Sequence, residues 1–143
     1  MIVRDVNKAV EHVQLVMPGM SFTSAAFGFV QVDSSGRTNA AVIYDMYGYA
    51  NAFIHCVGTP GRPWLTRDVI HTAFRIPFSE LCFNRLTCWI ETDNEPSVRL
   101  ATRLGFHLEA LLKGAGTYGQ DVLLMAMFRE QCRFLEPASG QKH

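Results

Sequence analysis

The sequence has no charge imbalance, no apolar run of membrane length, no Cys-x-x-Cys pair and no internal repeat, and each absence removes a class of function. Its 13 basic and 13 acidic residues cancel, so no global field draws the chain to nucleic acid or to an anionic membrane surface. No segment approaches the roughly 20 apolar residues that cross a bilayer. Residues 1–17 interrupt their apolar positions with charges, unlike a secretory leader. Cys56, Cys82, Cys88 and Cys132 are widely spaced, which argues against a zinc cluster or disulfide framework and for reduced thiols in a cytoplasmic protein. Neither a metal nor a nucleic-acid or membrane partner is expected.

What is present suffices for one core. A chain of 143 residues, 48% hydrophobic and 18% charged, is too short for two ordinary domains. The expectation is a single domain over 1–135 and a polar, flexible tail over 136–143.

Val6, Val10, Val13 and Met17 recur at helical spacing until Pro18-Gly19 ends the pattern. Residues 25–32 and 39–49 read as strands joined by the turn chemistry of Asp33-Ser34-Ser35-Gly36, and 52–57 as a third strand. Gly and Pro in 58–63 stop regular pairing. Helical spacing resumes at Leu65, Val69, Ile70, Ala73 and Phe74, and Pro77 ends or kinks that helix. Residues 85–92 form the next strand. Asp93 or Asn94 caps a helix beginning near Glu95-Pro96, which carries Val98, Ala101 and Leu104 and stops at Gly105. Two strands follow, 107–113 and 122–128.

The stretch 86–109 is the most informative. Asn94-Glu95-Pro96-Ser97 opens its helix, Leu104-Gly105-Phe106 closes it, and Glu109, Asp121 and Met127 follow. Together with the element order over 25–128, these residues resemble the GNAT superfamily of N-acetyltransferases, and the overall shape, with Trp64-Leu65-Thr66-Arg67 upstream and Met127-Phe128-Arg129 and Cys132-Arg133 downstream, looks like its short members encoded by phages and prophages. The resemblance implies an α/β (α+β) acyl-CoA N-acyltransferase fold: a mixed central sheet with splayed parallel strands and a truncated N-terminal region that lacks the usual first strand. It implies acetyl-CoA as cosubstrate, with pantetheine lying between strands 52–57 and 86–92. The pyrophosphate would rest on backbone N–H groups across 58–66, with Gly58, Gly61, Arg62, Trp64, Leu65 and Thr66 as cofactor-binding residues. Here the chain departs from the family pattern. Gly61-Arg62-Pro63-Trp64-Leu65-Thr66 keeps only the first glycine, and Pro63 removes a phosphate donor that Arg62 or Arg67 would have to replace with charge.

Direct attack of an amine on the thioester needs three kinds of group. The resemblance assigns the carbonyl oxygen to amides around Cys56 and Val57. His55 suits a general base by residue type, with Glu91 and Asp93 as alternatives acting through water. Ser97 is the candidate acid for the thiolate, and Asn94 a contact to the pantetheine or sulfur. A packing reading stands beside each: His55 as a strand histidine, Asn94 and Ser97 as helix-capping residues. Tyr118 with its flanking glycines, and the aromatic series Tyr44, Tyr47, Tyr49 and Phe53, fit either an acceptor pocket or ordinary packing. Two functions are therefore expected to compete. One is acetyl transfer to a protein N-terminus or a small-molecule amine; the other is a degenerate interaction protein of the same fold. A homodimer through a strand edge at 122–128 is the further partner expected.

Overall fold

A computed structural model describes residues 1–61 and 63–135. Along the chain it contains β1 (Ile2–Val3), α1 (Val6–Val16), β2 (Phe27–Val32), β3 (Thr38–Asp45), β4 (Asn51–Gly58), α2 (Arg67–Arg75), β5 (Arg85–Glu91), α3 (Glu95–Leu104), β6 (His107–Leu112) and β7 (Val122–Phe128). Arg62 and the expected tail, 136–143, lie outside the described residues. The order of elements follows the sequence reading with one addition. A first strand does exist, as the two-residue β1 paired antiparallel with β2; two residues are too few to show an alternating pattern. β3 also ends earlier than expected, because Met46 adopts φ 49° after the Asp45 carboxylate accepts its N–H.

The seven strands form one mixed sheet in the order β1-β2-β3-β4-β5-β7-β6. β4 and β5 run parallel, and the other neighbours are antiparallel. β7 is an interior strand, so the edge expected at 122–128 is not an edge: the chain passes outward to β6 first and then returns β7 against β5.

Strand alternation divides the core between the two faces. On one face α1 sets Ala9 and Val13 against Val30, Val32, Ala41, Ile43 and Val57. On the other, Val69, Ala73 and Phe74 of α2 and Ala101 of α3 pack with Phe29, Val42, Tyr44, Ile54, Leu86, Met125 and Met127. Both helices that flank the cleft described below start on a side-chain cap: Thr66 accepts from Val69 N–H for α2, and Asn94 accepts from Ser97 N–H for α3. Gly105 ends α3 at φ 111°, a conformation that favours glycine, while Arg133 donates to the carbonyls of Arg103 and Leu104 at 2.6 and 3.1 Å.

Pro77 has a specific consequence. It has no N–H to offer the Ala73 carbonyl four residues earlier, and the chain passes from α2 into a π-helical turn, Ile76–Glu80. The buried Tyr44 hydroxyl donates to that carbonyl at 2.5 Å. Tyr44→Phe therefore leaves a buried acceptor short of its partner and is expected to cost about 1–3 kcal/mol in urea unfolding. A loss below about 0.5 kcal/mol would show the bond to be dispensable.

Candidate functional site

β4 and β5 pair over three rungs only: Asn51 with Arg85, Ala52 with Leu86, and Phe53 with Thr87. Beyond Phe53 each strand continues, β4 to Gly58 and β5 to Glu91, without facing the other. The outer partners hold them apart, since β3 pairs β4 as far as Gly58 and β7 pairs β5 as far as Glu91. The resulting V is a cleft with about 900 Å³ of space, counting its open mouth, and it reaches both faces of the sheet.

Register identifies the backbone groups that face it. Thr59 N–H bonds Asn39 C=O, so in the alternating antiparallel ladder Val57 and His55 also point their amides at β3. Cys56 and Gly58 therefore turn their N–H groups toward β5. On the opposite wall, Thr92 N–H bonds Asp121 C=O, which by the same alternation directs the amides of Trp89 and Glu91 toward β4. The expected Cys56–Val57 pair is thus divided. Cys56 presents a donor to the cleft, and Val57 gives its own to Ala41.

Of the side chains expected in the site, His55, Cys56, Val57, Leu65, Asn94 and Ser97 line the cleft. His55 sits on the α1 side, its ring edge-to-face with Phe22 at 5.3 Å between centroids. Desolvation lowers its pKa against the opposing pull of Asp45, so the neutral imidazole is favoured. Asn94 and Ser97 lie on the opposite side, at the start of α3. Asn94 Oδ1 is engaged by Ser97 N–H at 3.4 Å, and among the described residues no bond holds the Ser97 hydroxyl. Cys56 opens onto the cleft, yet the surrounding walls push its thiol up to about 12. That shift favours the protonated thiol at neutral pH.

Among the described residues, the other expected side chains do not line the cleft. The Trp64 indole covers Gly58, so closely that a Cβ there would fall 2.1 Å from the ring. Gly61 forms the turn at φ 77°. Thr66 both caps α2 and donates to Gln31 Oε1 at 2.7 Å. Glu91 does not line the cleft: one carboxylate oxygen accepts from Thr117 N–H and its hydroxyl at 3.0 and 2.9 Å, and the other from Gln120 at 3.0 Å. It anchors the β6–β7 loop. Glu91→Ala should speed amide exchange at Thr117 at least tenfold, the effect of losing roughly 1.5–3 kcal/mol of charge-assisted bonding. Unchanged exchange would remove that role. Among the aromatics, Tyr44 is core, Tyr47 packs on Phe27 and Phe83, and Tyr49 is exposed.

Sequence reasoning missed Trp89, Met17 and Met20, which also line the cleft. Trp89 alternates with the core residues Leu86, Cys88 and Ile90 and is 43% exposed, so its place opposite them was readable from strand period. The methionines flank Pro18-Gly19, and nothing local signals that this turn reaches β4.

No family model and no curated protein matches the chain. Solved structures do. A chimera of the Vibrio cholerae spermidine N-acetyltransferase SpeG with hSSAT superposes with a TM-score of 0.76 at 15% identity, covering 91% of this chain and 96% of that one. SpeG of Vibrio cholerae, a spermidine/spermine N-acetyltransferase, gives 0.76 at 16% identity over 91% and 92%. The dodecameric spermidine N-acetyltransferase of the same organism gives 0.75 at 16% identity over 91% and 94%. The fold is that of the GNAT acyl-CoA N-acyltransferases.

The walls where β4 and β5 part are apolar side chains, and the Cys56 and Gly58 amides on one strand and the Trp89 and Glu91 amides on the other are directed into the cleft. Few backbone donors remain in the loop that follows β4. Thr66 N–H is engaged by Trp64 C=O and Val69 N–H by Thr66 Oγ1, and Pro60 and Pro63 carry no N–H. The amides of Arg67 and Asp68, which have no helical acceptor, remain in the first turn of α2. Among the described residues there is no cluster of three metal-ligating side chains, and no helix is long and apolar enough to cross a membrane.

Proposed function

We propose that this chain is an acetyl-CoA-dependent N-acetyltransferase acting on an amine. The observation that carries the reading is the parting of β4 from β5 after Phe53 and Thr87, which leaves the Cys56 amide facing a cleft between His55 and Ser97. Acetyl-CoA supplies the activated acyl group. Cys56 N–H donates to the carbonyl oxygen as negative charge develops there. The amine nitrogen bonds to the carbonyl carbon, the carbon–sulfur bond breaks, and His55 takes the proton that the nitrogen loses. Ser97 gives a proton to the departing thiolate and regains one from solvent; Asn94 orients the same end of α3. The spermidine acetyltransferases of like fold support an amine as acceptor, and the dodecameric one makes self-association of this chain worth measuring.

A second reading, a binding protein that no longer transfers acetyl groups, draws on the phosphate loop, where Trp64 covers Gly58 and Pro63 stands where a donor is expected. One experiment separates them. Under the enzyme reading, acetyl-CoA at 100 times its Kd stabilises the fold by about 2.7 kcal/mol and raises the melting temperature by several degrees, and amines release free CoA thiol. A melting shift without thiol release favours the second reading, and no shift at millimolar acetyl-CoA sinks the first.

A further inference from the structure

We propose that the acceptor is a primary amine on an apolar body without a second charge, either a free arylalkylamine or the N-terminus of a peptide beginning with a large apolar residue. The proposal rests on the acetyl-transfer reading and names its substrate class. None of the described side chains lining the cleft is Asp, Glu, Lys or Arg. On the α1 side, where an amine meets His55, the walls are Met17, Met20, Val57 and Trp89, and Phe22 backs the imidazole. Flexible thioethers and an indole accommodate apolar shapes and offer no fixed countercharge.

The neighbouring carboxylates are committed elsewhere. Asp45 accepts from Thr23 N–H at 2.7 Å, from the Thr23 hydroxyl at 2.5 Å and from Met46 N–H at 2.9 Å. Glu91 holds Thr117 and Gln120, and Asp93 accepts from Gln120 at 3.3 Å. A monoamine gives its ammonium proton to solvent and enters as the neutral amine, whose remaining proton passes to His55 on attack, so no substrate charge has to remain among the thioethers. A polyamine keeps a second ammonium a few methylenes from the reacting nitrogen. That ammonium would sit in the apolar cleft with no carboxylate among the described side chains that line it, a costly arrangement.

The test compares kcat/KM for 2-phenylethylamine, for a short peptide with N-terminal Phe and no acidic or basic side chain, and for spermidine, read as CoA thiol release, alongside melting with acetyl-CoA. At least one apolar amine is expected to exceed spermidine tenfold, and which one does tells a free amine from a peptide N-terminus. Trp89→Ala is expected to lower kcat/KM for that amine about tenfold while the melting shift with acetyl-CoA persists. Spermidine turning over as fast as both apolar amines, or no turnover of either beside an intact melting shift, overturns the proposal. Loss of the melting shift in the unaltered protein overturns the acetyl-transfer reading itself, so the two failures are distinct.

Discussion

His55→Ala is expected to lower kcat for acetyl transfer by about 10²–10⁴-fold, the usual contribution of a positioned general base, while the melting shift with acetyl-CoA remains. His55 faces the α1 side of the cleft and not the walls that would hold pantetheine, so binding and chemistry should separate in this variant. The pH profile adds a second criterion. Burial lowers the His55 pKa, so the neutral base persists below the ordinary value of about 6.5, and the acid limb of kcat/KM should lie below that pH and vanish in the variant. The sign for stability follows from the same shift. The unfolded chain binds the proton more readily, so His55 weakens the fold progressively as pH falls below about 6.5 and has no such effect above it. An unchanged kcat, or an acid limb retained in the variant, would remove His55 from the mechanism.

Phe74→Ala is expected to cost about 3–5 kcal/mol of unfolding free energy. Phe74 is buried, stacks on Phe134 at 5.3 Å and Phe78 at 6.3 Å, and meets Phe106 at 6.2 Å. It joins α2, the π-helical turn, the start of β6 and the chain beyond β7, and it also forms part of the cleft wall. Urea unfolding should show a lower midpoint with an unchanged slope. Phe74→Leu, which keeps most of the volume, should lose about half as much or less. A loss under 1 kcal/mol for the alanine variant would mean that the aromatic cluster does not hold α2 to the sheet.

Local signals carried the elements well where each had a physical stop. Asn94 and Gly105 bracket α3 as cap and left-handed terminus, and 122–128 match β7 because apolar strand residues there run between polar turns. β1 escaped notice because two residues make a single strand period, too few to show alternation. Edge assignment failed at β7 because pairing order depends on which strand returns to the centre, which no window of sequence records. Among the side chains that line the cleft, Asn94, Ser97 and His55 were singled out by residue type and position, and Trp89 could have been by alternation. Met17 and Met20 were not, since their place in the cleft comes from α1 packing across β2, β3 and β4.

The sequence by itself determined the succession of helices and strands from α1 to β7 and the cap that opens α3, because these depend on periodicity and on backbone groups within a few residues. Only the tertiary structure decided that β4 and β5 part after three rungs, that Cys56 and not Val57 offers its amide to the cleft, and that Glu91 is tied to the β6–β7 loop. Those facts depend on register against β3 and β7, and register is set by pairing between segments far apart in the chain.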